Sequence, residues 1–167
     1  LHRQDEAGHE WITYTPTTKT QVHNVNMLAA ALLAREARRG EPDPELTALA
    51  EKTMRYSVDR LDENGSWPYG EAANQAWVDN FHTGYNLSAL LDYRRTTDER
   101  WMDPVLKKAY TYWDRNFFAP DGRPYYYNTG QWPVDIHCCA LAILTYLECR
   151  PLDPSGIGAA LELAKQY

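Results

Sequence analysis

An all-α fold built of helical hairpins is the class that these 167 residues predict. Three observations carry it. Long apolar or amphipathic segments recur with helical period, an aromatic and extended polar stretch precedes each apolar one, and the pattern occurs three times. His23, His82 and His137 mark the three units, 59 and 55 residues apart. Wholly apolar helices alternating with amphipathic ones predict an α/α toroid, in which each hairpin sends one helix inside and one outside. Three hairpins make about half of a six-hairpin ring, in a single domain over residues 1–167.

The first unit is "WITYTPTTKTQVHNVNMLAAALLAREARRG". Leu28 to Ala34 is apolar throughout, which predicts a helix buried on both sides. Arg38–Arg39–Gly40 supplies a charge-complemented end and a stop. "PELTALAEKTMRYSVDRL" follows, with a stripe from Leu46 through Ala50, Met54 and Val58 to Leu61. Asp43 and Pro44 are its N-cap and first-turn residue.

The second unit, "GSWPYGEAANQAWVDNFHTGYNLSALLDYRR", leads into "ERWMDPVLKKAYTYWDRNFF", whose stripe is Trp101, Val105, Ala109, Tyr112 and Trp113. The third, "DGRPYYYNTGQWPVDIHCCALAILTYLECR", has a nearly apolar run from Cys138 to Leu144 and leads into "DPSGIGAALELAKQY". The chain starts at Leu1 and stops inside this last helix, as a fragment of a longer protein would.

Composition narrows the function classes. Hydrophobic residues at 44% and charged ones at 24% are globular values. Aromatics stand out: 12 Tyr and 6 Trp against 3 Phe. Tyr and Trp pair an apolar body with a polar handle, which suits wet pockets as well as cores. The net charge of −6, with basic residues only in short pairs, argues against nucleic acid. No run reaches the ~18 apolar residues of a membrane span. Cys138, Cys139 and Cys149 share one helix and form no disulfide framework, which points to a reducing, cytoplasmic compartment.

Polar residues gather at the inner-helix starts. Asp79 and His82, three apart, share a helix face, with Asn86 one turn on. Asp135, ahead of its helix, and His137 hold the matching place in the third unit. Read as chemistry, Asp79, His82, Asp135 and His137 are the catalytic candidates. Glu71 is a further carboxylate, and the imidazoles tune or replace one acid of a glycosidase-like pair. Read as structure, Asp79 and Asp135 cap their helices. Tyr69, Trp77, Tyr126 and Trp132 offer faces on which a sugar stacks, and Glu71, Asn86 and His23 offer polar contacts. The competing role of such rings is packing between hairpins, to which Trp67 is assigned. Adjacent Cys diverge on a helix and no Cys-x-x-Cys occurs, so no metal site and no cofactor is expected.

"NGSWPYGEAANQAWVDNFHTGYNLSALLDY", with "TPTTKTQVHNVNMLAAALLA" before it and "DGRPYYYNTGQWPVDIHCCALAIL" after it, resembles the VpsJ-like proteins linked to exopolysaccharide biosynthesis. The resemblance covers about residues 11–150. It implies the toroid of six-hairpin glycosidases and, more distantly, of terpene cyclases and prenyltransferases, with a role in polysaccharide metabolism. "DENGSWPYG" is also similar to the Gly-x-Trp turn of squalene-type cyclases, but their Asp-rich acid motif is missing.

The expected function is therefore a carbohydrate-active protein, glycoside hydrolase-like or uronate lyase/epimerase-like, acting through an Asp/His cluster in an aromatic-lined pocket. The alternatives are a non-catalytic carbohydrate-binding or scaffold protein of envelope polysaccharide assembly, and a terpenoid or prenyl enzyme. The expected partner is an oligo- or polysaccharide. Missing hairpins or a second copy would cover the open face of a half ring.

Overall fold

A computed structural model describes residues 1–130 and 132–167. Among them the chain is all-α apart from one short hairpin. That hairpin pairs β1 (His2–Gln4) with β2 (Glu10–Ile12). The helices are α1 (His23–Glu36), α2 (Pro44–Val58), α3 (Asn80–Thr97), α4 (Asp103–Asn116), α5 (Ile136–Glu148) and α6 (Gly156–Gln166), with a 3₁₀ turn at Ala73–Gln75.

Three consecutive pairs form three hairpins: α1 on α2, α3 on α4 and α5 on α6. The first helix of each pair also packs on its counterpart, α1 against α3 and α3 against α5, so these three make a row. Met27, Met54, Trp67, Leu87, Leu90, Leu106, Trp113 and Phe117 fill the space between the layers. Trp67 is the wedge expected of it. Its ring is enclosed and its Nε1 donates to the Ser57 carbonyl at 2.8 Å, so burial leaves no donor unpaired.

The capping reading holds at both Asp positions and at Asp43. Asp43 accepts from Leu46 N, Asp79 from His82 N, and Asp135 from His137 N and Cys138 N. Two helices start later than their sequence stretches. Trp101 sits in the turn before α4, under the Arg55 guanidinium at 3.9 Å, and Asp153–Pro154 lies ahead of α6.

The repeat is more regular than the histidines suggest. His23 is the first residue of α1, His82 the third of α3 and His137 the second of α5, so the three are not equivalent. The better markers are Gly8, Gly65 and Gly122, 57 residues apart at each step and all at positive φ. Each donates its N–H to the carbonyl three residues earlier, Asp5, Asp62 or Ala119. Each turn is also closed by an N–H of that same residue on the carbonyl after the glycine, His9, Ser66 or Arg123. β1–β2 is thus the first unit's copy of a turn that recurs before α3 and α5. The Phe118–Pro124 bridge is its counterpart in the third unit.

Burial corrects one expectation. Leu28 and Leu32 on α1 and Leu144 on α5 are exposed, so neither helix is covered on both sides. Only α3, in the middle of the row, has an inner helix on either flank.

Candidate functional site

The loop that follows one hairpin is clamped to the start of the previous inner helix. His23 N donates to the Tyr69 carbonyl, and Asn80 N donates to the Tyr126 carbonyl at 2.8 Å. Asn80 reinforces the second clamp: its Nδ2 donates to the Tyr125 carbonyl, and its Oδ1 accepts Trp113 Nε1 at 2.7 Å. The aromatic loops therefore gather at the end of the row where α1, α3 and α5 begin. This is the physical reason the rings precede the helices in sequence.

At the start of α3, Asp79 is fully enclosed and accepts three hydrogen bonds. Oδ1 takes the His82 backbone N–H at 2.7 Å. Oδ2 takes Trp77 Nε1 at 2.9 Å and lies 2.8 Å from His82 Nδ1. A charged carboxylate there selects the tautomer with the proton on Nδ1, which leaves Nε2 as an acceptor. The His82 side chain keeps 21% of its surface exposed. Its ring lies 4.4 Å from that of Tyr69 and 5.4 Å from that of Phe81. Tyr69 stacks on Trp77 at 4.7 Å, nearly parallel, and both Trp77 and Tyr127 show a large part of their surface.

A similar but looser arrangement stands at the start of α5. Asp135 Oδ1 accepts the His137 N–H and lies 3.1 Å from His137 Nδ1. Burial alone would raise the Asp135 pKa, but the His137 and Cys138 N–H bonds outweigh it and hold the carboxyl below its ordinary range. His137 is largely exposed, and Phe81 links the two imidazoles, 6.3 Å from that of His137.

Two tyrosines at this end are kept in their protonated form. Burial, then the neighbouring Tyr14, pushes Tyr69 up to about 12. Burial and the Asp79 charge push Tyr126 in the same direction. Each can donate a hydrogen bond or a proton at neutral pH.

Tyr69, Trp77, Asp79, His82, Tyr126, Asp135 and His137 thus share one end of the molecule. Four other candidates are placed differently. His23 is enclosed in the core, its Nδ1 3.1 Å from Ser57 Oγ, and presents no surface to a ligand. Burial, with Arg60 nearby, depresses its pKa to about 4. Glu71 is held by Arg60, 2.5 Å away, and by the Tyr56 hydroxyl at 2.9 Å, an ion-paired cluster of its own. Asn86 is buried in α3 with its Oδ1 unpaired. Trp132, 70% exposed, has the Arg123 guanidinium 5.6 Å from its ring.

Phe81 and Tyr14 belong to the cluster and were not singled out from the sequence. Phe81 adjoins His82, so a helix-start reading could have found it. Tyr14 reaches Tyr69 from another unit and carries no local signal.

Among the described residues, no three His, Cys, Asp or Glu side chains converge as metal ligands, and no helix is long and apolar enough to cross a membrane. The three thiols are free and buried. An open groove of about 760 Å³ runs along α4 past Lys107, Lys108 and Arg115, and shares no residue with the cluster. The fold and site together define a helical-hairpin protein with an Asp-oriented imidazole set among tyrosine and tryptophan rings. No family model, curated protein or solved structure matches the chain.

Proposed function

We propose that the protein is a carbohydrate-active enzyme of polysaccharide metabolism whose working group is the His82 imidazole. The observation that carries this is the enclosed Asp79 carboxylate bonded to His82 Nδ1, with the imidazole partly exposed beside Tyr69. Sugar rings present C–H faces to Trp77 and Tyr69, and their hydroxyls meet the polar rim. In this reading the three hairpins are about half of an α/α toroid, and the VpsJ-like resemblance points toward the same substrate class.

Among the chemistries open to such a site, elimination or epimerisation of a uronic acid fits better than hydrolysis. A carboxylate-pair hydrolase needs both acids facing the ligand, about 5 to 9.5 Å apart. Asp79 has no exposed side-chain surface and both its oxygens already accept hydrogen bonds within the chain. In the elimination, His82 Nε2 takes the C5 proton, which is acidic because it lies next to the C6 carboxylate. The C5–H electron pair forms the C4–C5 double bond and the C4 oxygen departs. A protonated tyrosine, Tyr69 or Tyr126, supplies that oxygen with its proton. The Asp79 carboxylate, bonded to Nδ1, orients the ring and stabilises the imidazolium.

A second reading, a non-catalytic carbohydrate-binding protein, rests on the exposed rings of Trp77 and Tyr127 beside the cluster, with Trp132 a further exposed ring. A turnover screen on oligouronates and neutral oligosaccharides, with His82→Gln in parallel, separates the two. Unsaturated or epimerised product that His82→Gln abolishes while ligand still binds supports the enzyme. Binding by both proteins with no product from either makes it a binding module.

A further inference from the structure

The two ends of the helix row carry the two halves of an interface that the chain already forms twice. The N-caps Val22, Asp79 and Asp135 set α1, α3 and α5 in register. In that register Leu28, Tyr85 and Leu141 are equivalent, as are Leu32, Ala89 and Thr145. On α5 this face meets α3: a Cβ on Gly84 would lie 2.8 Å from Leu141 Cδ2 and 3.1 Å from Thr145 Oγ1. On α3 the matching Ala89 is buried. On α1 both positions are exposed leucines, Leu32 by 56%.

The opposite face behaves the same way. Ser88 of α3 looks toward α5 and donates to Glu148 at 2.5 Å. Its equivalent on α1, Ala31, is buried. Its equivalent on α5, Leu144, is 54% exposed, with Leu147 beside it. Among the described residues one end of the row thus has no following inner helix and the other no preceding one.

We propose that a second copy of this chain supplies both, α5 of one copy packing on α1 of the other as α1 packs on α3. Apolar surface meets apolar surface, Leu144 and Leu147 against Leu28 and Leu32. Charge follows the α1–α3 seam rather than the α3–α5 seam, where the equivalent residues, Asp92 and Glu148, are both acidic. Arg35 of α1 donates to Asp92 at the equivalent position of α3, Nε to Oδ2 at 2.9 Å. At the new seam the equivalent residues are Glu148 of one copy and Arg35 of the other, again opposite in sign. The contact is head to tail, and two copies that close on each other satisfy both ends at once.

The assembly is tested without a ligand, so its outcome is independent of the carbohydrate reading. Light scattering on the eluting chain should give twice 19.3 kDa, with dissociation on dilution. Leu144→Lys and Leu32→Lys, both at exposed positions, should each be monomeric with unchanged circular dichroism. Mixing the two variants should restore a dimer, because each retains the face that the other has lost. A wild-type chain that is monomeric at every concentration overturns the proposal. So does a dimer that survives both substitutions, or a mixture that stays monomeric.

Discussion

Asp79 Oδ2 lies 2.8 Å from His82 Nδ1 and 2.9 Å from Trp77 Nε1, while Oδ1 caps α3. One carboxylate therefore starts a helix, fixes a tautomer and anchors an aromatic face. Asp79→Ala loses the cap and takes the acceptor from Trp77 Nε1 and His82 Nδ1, both partly open to water, a cost of about 1–3 kcal/mol. Asp79→Asn keeps a capping oxygen but cannot satisfy both side-chain donors with its remaining amide. Urea unfolding should rank the losses Ala above Asn, with any turnover reduced in both.

Acid should expose the buried His23. Its folded pKa, about 4, lies below the ordinary 6.5, so the unfolded chain binds the extra proton first. Stability from this group is complete above pH 6.5 and falls as pH drops toward 4. The full loss is about 3 kcal/mol from the size of the shift. His23→Gln removes the titration, so its unfolding midpoint should fall less steeply than that of the wild type between pH 7 and 4.5. Parallel slopes would remove His23 as the cause.

The three turn glycines should differ in sensitivity. All sit at positive φ, but a Cβ at Gly65 would also come within 2.8 Å of the Lys108 carbonyl and 3.1 Å of Tyr112 Cβ. Gly8 and Gly122 face open space. Alanine at Gly8 or Gly122 costs about 1–2 kcal/mol for backbone strain alone. Gly65→Ala should cost clearly more, because the turn must lift off α4. Thermal denaturation of the three variants gives the order directly.

Two tryptophans should separate packing from binding. Trp67→Ala opens a cavity and removes the indole bond to the Ser57 carbonyl, a loss of about 3–5 kcal/mol. Trp132→Ala, at an exposed ring, should change the melting temperature little. If Trp132 belongs to the sugar platform, its removal weakens oligosaccharide affinity in a titration while folding stays intact.

Helix type and the starts of α2, α3 and α5 were legible in the sequence because they depend on neighbours. Asp43, Asp79 and Asp135 each bond an N–H two or three residues on, and the stripes of α2 and α4 follow from 3.6-residue geometry. The register of the repeat was legible only in part. Histidines attract attention for their chemistry, yet the recurring constraint is a positive-φ turn at Gly8, Gly65 and Gly122, which a backbone imposes and a side-chain reading overlooks.

The sequence by itself determined an all-α chain of capped, alternating helices with aromatic loops ahead of the inner ones. Tertiary structure decided which of its polar residues can meet a ligand. Ser57 of α2 drew His23 into the core, Arg60 and Tyr56 claimed Glu71, and Trp77 with His82 closed over Asp79. Burial depends on how hairpins stack, and it left the Asp79-held imidazole of His82 partly open beside Tyr69.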